Sequence, residues 1–106
     1  MNQYCKLEWE LATALGMEVL EYQPARDGGF KEDRIFSDYT LLPMWARNDA
    51  SAFRLMVEYN VHIKHYANNV FAYGVGTGVG VDVSEHPDRY TAVRVAIVKA
   101  ITESLS

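Results

Sequence analysis

The sequence predicts an α+β fold: a small antiparallel sheet of three to four strands, packed with three helices in an αβα-type sandwich. Three observations carry that prediction. Apolar residues recur at helical spacing near the start, middle and end of the chain, residues 61–83 alternate with the period of strands, and Gly, Pro or Asn marks most junctions. The order reads α-β-loop-α-β-β-β-α, for which helices covering a sheet are the layered solution. With 106 residues the chain makes one domain, 1–106, large enough to bury a core without metals or disulfides.

Each element has a local cause. Tyr4, Leu7, Leu11, Ala14 and Leu15 share one helical face between about Gln3 and Leu15, with Lys6, Glu8, Glu10 and Thr13 largely elsewhere. Gly16 stops that helix, because it takes the left-handed conformation without a Cβ clash. Met17 to Tyr22 alternates and reads as a strand. Residues 24–35 are expected to be a mobile loop: Pro24 removes a donor, Gly28 and Gly29 free the backbone, and Lys31, Glu32, Asp33 and Arg34 make a solvated tip. Ile35-Phe36 and Tyr39 to Leu42 read as short extended pieces, and Pro43 biases Leu42 away from helix.

Asn48 or Asp49 caps a second helix that runs to about Tyr59. Its expected core stripe is Phe53, Met56 and Val57 with Ala52 beside them, and Arg47, Arg54 and Glu58 fall outside. Asn60 ends it. Val61, Ile63 and His65 then alternate with His62, Lys64 and Tyr66, and Asn68-Asn69 supplies the positive φ of a type I′ hairpin turn. Val70 to Val75 returns with Phe71, Tyr73 and Val75 on one face, and Val79, Val81 and Val83 alternate with Gly80 and Asp82 in a third strand. Ser84 or Asp88 starts the last helix, whose buried stripe is Tyr90, Val93, Ile97, Ala100 and Ile101. Ala92, Val95, Ala96 and Val98 widen that arc, so burial on more than one side is expected.

Composition narrows the function classes. Hydrophobic residues are 49% and charges 23%, which excludes collagen-like, low-complexity and wholly disordered chains. Ten Lys and Arg stand against fourteen Asp and Glu, a net charge of −4, and the cations are scattered, which argues against a nucleic-acid binder. The lone Cys5 allows no intrachain disulfide and reads as a small buried hydrophobe. The stretch from Met1 to Glu8 brings in acid where a signal peptide would have its apolar run, and runs such as Val95 to Val98 fall far short of the roughly 20 residues that cross a bilayer. A cytoplasmic protein with no membrane partner is expected.

No enzyme signature survives inspection, and no cofactor or metal is expected. Gly74, Gly76, Gly78 and Gly80 miss the dinucleotide fingerprint, since the sixth position is Val79 or Val81, and no Lys-Ser/Thr ending makes a phosphate loop. The segment reads as a hairpin bend or bulge with a small strand face, and alternatively as a small-molecule or nucleotide-binding element spanning Gly74–Gly80. His62 and His65 point to opposite faces of a strand, so they share no metal, and His65 is expected to be partly buried. Ser84-Glu85-His86 reads as a helix lead-in. Glu8/Glu10, Asp27 and Glu32/Asp33 lie on expected exposed surfaces. Trp9, Phe36, Tyr39 and Trp45 fall outside the helical stripes and either close the core edge or form a protein-binding patch; Tyr39 and Trp45 are the partner-binding candidates.

Five segments together resemble the phage αβα-sandwich (phage ABA sandwich) domain family. They are Ala14-Leu15-Gly16-Met17-Glu18-Val19, Tyr39-Thr40, Asp49-Ala50-Ser51-Ala52-Phe53, Phe71-Ala72 and the closing helix Thr91 to Ile101. The resemblance spans about Tyr4 to Ile101; Phe71 stands where the family has Trp, and the glycines at 74–80 are a departure. It implies helix-sheet-helix layering and a phage or prophage accessory protein, and carries no catalytic residues. The expected mode of action is binding another protein.

Overall fold

A computed structural model describes residues 1–25, 31–74 and 76–106. Its elements in chain order are α1 (Gln3–Ala14), β1 (Leu20–Gln23), β2 (Arg34–Ser37), β3 (Thr40–Leu41), α2 (Asp49–Glu58), β4 (His62–His65), β5 (Asn69–Gly74), β6 (Thr77–Asp82) and α3 (Arg89–Leu105), with a 3-10 turn at Val83–Glu85. The α+β class with antiparallel strands and three helices is the one predicted. The strands form two three-stranded sheets, β1-β2-β3 and β4-β5-β6, all neighbours antiparallel, instead of the one sheet of three to four strands expected. Of the expected loop at 24–35, residues 26–30 lie outside the described residues, while Arg34 and Ile35 already belong to β2. Val75 also lies outside them.

α3 is the centre of the molecule. Val70, Ala72, Val79 and Val81 are the buried positions of β5 and β6, and both strands pack on α3. α1 and α2 pack on α3 as well. Its buried residues, Thr91, Ala92, Val95 to Val98, Ala100 and Ile101, therefore run nearly all round the helix, as its broad apolar arc requires. Thr77 Oγ1 donates to the Ala100 carbonyl at 3.2 Å and ties the β5–β6 hairpin to the helix. The opposite face of that sheet is open and carries His62, Lys64, Phe71, Tyr73 and Asp82.

Helix ends follow their local chemistry. Gly16 has φ +80°, its N–H reaches Thr13 O, and Met17 N–H reaches Ala12 O, which together make a Schellman end for α1. Asn60 does the same for α2 at φ +53°, with Asn60 N–H on Val57 O and Val61 N–H on Met56 O. Asn48 caps α2 by accepting from Ser51 N at 2.9 Å, and Asp88, not Ser84, caps α3 by accepting from Thr91 N at 2.8 Å.

Several sequence expectations are corrected. The first strand is Leu20–Gln23 instead of Met17–Tyr22, because Val19 takes φ +54° and breaks the extended run. The type I′ signature is not at Asn68-Asn69, where no residue has positive φ; that hairpin closes through Tyr66 and Asn69. It sits at Asp38-Tyr39, φ +49° and +66°, the two-residue loop between Ser37 and Thr40.

The buried face of α1 is Cys5, Glu8, Leu11 and Ala12, rotated from the expected stripe. α2 buries Ala52 and Leu55, and leaves Phe53 and Val57 60% and 62% exposed. The small Ala52 side chain lets α2 approach α3 where a Phe would hold it off. Tyr90, expected in the stripe of α3, is also exposed.

Candidate functional site

The rotation of α2 opens a groove. Ala52, Phe53 and Met56 of α2 face Tyr90, Val93 and Ile97 of α3 across a cavity of about 550 Å³. Two ring-bearing lips stand out in solvent, Phe53 and the 72% exposed Tyr90. An apolar concavity with aromatic lips is the kind of surface that receives an apolar side chain from elsewhere.

Charges sit only at its margins. Arg94 donates through Nη1 to Asp49 Oδ1 at 2.5 Å, through Nε to Ala46 O at 3.2 Å and through Nη2 to Thr91 Oγ1 at 3.0 Å. This fork staples α2 to α3 and neutralises one margin of the groove. At another margin Arg89 donates through Nη2 to Ala67 O at 2.9 Å, and its Nη1 lies 3.3 Å from His65 Nδ1. Arg94–Asp49 and Arg47–Glu8 are the salt bridges among the described residues, so Arg89 faces no carboxylate there.

The expected site residues fall in different places. Tyr39 is 90% exposed because the positive-φ turn throws it outward. Trp45 is 6% exposed and belongs to the core. The two are not brought together into one exposed patch, and neither lines the groove. His65 is exposed, not partly buried, and meets Arg89 at the groove mouth. His62 stacks on Tyr73 on the open sheet face, ring centroids 5.4 Å apart.

Ser84 Oγ donates to Asp82 Oδ1 at 2.8 Å, while His86 Nδ1 meets the Tyr4 hydroxyl at 3.0 Å, so the adjacent Ser and His serve different partners. Gly74 pairs with Thr77 at the end of the β5–β6 hairpin, and the Phe71 ring lies so close over β6 that a Cβ at Gly78 would stand 2.8 Å from it. Gly74 has φ +148° and its missing Cβ would meet Asn60 O at 2.9 Å, so only glycine fits there.

Glu8 overturns the expectation that it is exposed. It is 2% exposed, accepts from Ala46 N at 3.0 Å, and is gripped by Arg47 Nε at 3.1 Å and Nη2 at 2.6 Å. A buried carboxylate needs such partners, and these join α1 to the segment before α2. Burial pushes the neighbouring Cys5 thiol up to about 11, with Arg47 pulling the other way, so the thiol stays protonated at neutral pH and is no nucleophile.

Among the described residues no group of three or more His, Cys, Asp or Glu is placed to hold a metal ion, and no helix is long and apolar enough to cross a membrane. The signal for the groove lay in α2: Ala52, Phe53, Leu55, Met56 and Val57 form an apolar arc wider than one contact with α3 can cover. Comparison of the chain with protein-family models, with curated proteins and with solved structures gives no match.

Proposed function

We propose that this chain is a small cytoplasmic accessory protein of the phage αβα-sandwich kind, and that it acts by binding another protein through the groove between α2 and α3. The carrying observation is the groove itself: apolar walls, exposed Phe53 and Tyr90 at its lips, and no convergent set of free polar groups to orient a small polar ligand. Arg94 is already held by Asp49, Ala46 and Thr91. The phage or prophage origin rests on the sequence resemblance between about Tyr4 and Ile101 alone. The other reading, a nucleotide or metabolite at Gly74–Gly80, has less support, because the Phe71 ring occupies the space above Gly78 and Gly80.

The test is partner capture from nuclease-treated bacterial lysate with a tagged protein, comparing the parent with Phe53→Ser/Tyr90→Ser and with Tyr39→Ser. Both variants should melt like the parent, since all three side chains are exposed. Loss of a stoichiometric protein in the groove variant alone supports the groove. Loss in the Tyr39 variant alone moves the site to the β2–β3 turn, and amide shifts clustered at 74–80 against a metabolite panel favour the ligand reading.

A further inference from the structure

The groove has one neutralised margin and one bare cation, and that asymmetry says what kind of segment it takes. At Asp49 and Arg94 the charges cancel across 2.5 Å. At Arg89 they do not: both hydrogen-bonded neighbours, the His65 ring and the Ala67 carbonyl, bring no negative charge. Arg89 also occupies the first position of α3, directly after Asp88, whose carboxylate is taken up in capping the helix onto the N–H and hydroxyl of Thr91. The residue after it, Tyr90, is a lip of the groove, so the guanidinium stands beside the apolar walls. Arg89 is thus a groove-lining cation with no ion-pair partner among the described residues.

Resting on the docking reading above, we infer that the occupant is a short amphipathic segment of a partner protein, whose apolar side chains fill the groove and whose neighbouring Asp or Glu pairs with Arg89. The carboxylate fixes the register of the segment, because Arg94, the other lining arginine, is already paired with Asp49. An anionic group also suits Arg89 chemically, since the guanidinium keeps N–H donors beyond those engaged by His65 and Ala67.

The probe is a random-peptide library displayed on phage and selected on the intact protein, followed by synthesis of the best binder with its acid kept or changed to the amide. Enriched peptides should combine aromatic or large aliphatic residues with an adjacent Asp or Glu, and amide shifts on binding should cluster at Phe53, Met56, Tyr90, Val93 and Ile97. Arg89→Gln should weaken the acidic peptide roughly three- to fivefold and leave the amide version unchanged. Arg89→Glu should restore affinity to a Lys-bearing version, which guards against a variant that merely disturbs the fold. Neutral or basic binders that map to the groove and ignore Arg89→Gln overturn the charge assignment and leave the docking reading standing. A library yielding no peptide that shifts groove amides overturns the docking reading itself. A concentration-dependent dimer abolished by Tyr90→Ser identifies the occupant as a second copy and overturns the partner assignment.

Discussion

Two parts of α3 have the same chemistry and opposite surroundings. Val95, Ala96, Val98 and Ile101 are buried, closed in where the helix meets β5, β6 and α1. Tyr90 and Val93, one or two turns earlier, look across an open cavity at Phe53 and Met56. Periodicity treats both sets as core, because it registers apolar side chains and not whether this chain supplies a cover. The difference teaches that an apolar arc wider than its covering elements marks a place where something else packs.

That contrast can be broken experimentally. The largest effect belongs to Glu8, which fastens the covered side. Glu8→Ala leaves Arg47, itself nearly buried, without its partner and should cost about 3–5 kcal/mol in urea unfolding. A loss under about 1 kcal/mol would mean that water reaches the site and the covered side is looser than its geometry. Next comes a matched pair of truncations. Ile101→Ala removes a fully buried side chain and should cost about 2–5 kcal/mol, whereas Phe53→Ala should stay within about 0.5 kcal/mol. Equal losses at the two positions would show that the groove is closed in solution and erase the distinction.

The smallest effect is in acid. The N–H groups of Ala25 and Asn2 hold Asp33 below its ordinary 3.8, and the N–H and hydroxyl of Ser84 and of Thr91 do the same for Asp82 and Asp88. A depressed carboxylate adds stability above its unfolded pKa, and the gain disappears as pH falls through the folded value. The stability these three carboxylates add should therefore be lost as pH falls below about 4, seen as a declining melting temperature. Asp88→Asn should flatten part of that decline, and an unchanged profile would remove the cap of α3 from the account.

What could be read from sequence was whatever a few neighbouring residues decide among themselves. Gly16 and Asn60 end their helices as expected, and Asn48 caps α2, because each cap closes within a few residues. Non-local decisions were illegible. Glu8 is buried because Arg47, 39 residues later, reaches it, and nothing near position 8 announces that. α2 turns Ala52 inward toward α3, and its first turn meets Arg94 through Asp49, 45 residues away, so the helix's own periodicity does not tell which apolar face is covered. Trp45 was ambiguous for the same reason: a tryptophan after a proline declares neither core nor surface until the helices arrive. The positive φ at Asp38 and Tyr39 had no glycine to signal it.

One further consequence follows from β4, which with β6 borders its sheet. Its four residues are His62, Ile63, Lys64 and His65, and Lys64 is exposed. A short border strand bearing a Lys is a poor template for another chain's backbone. Fibril-like stacking of this small acidic protein is therefore opposed at this border by the side chains the strand carries.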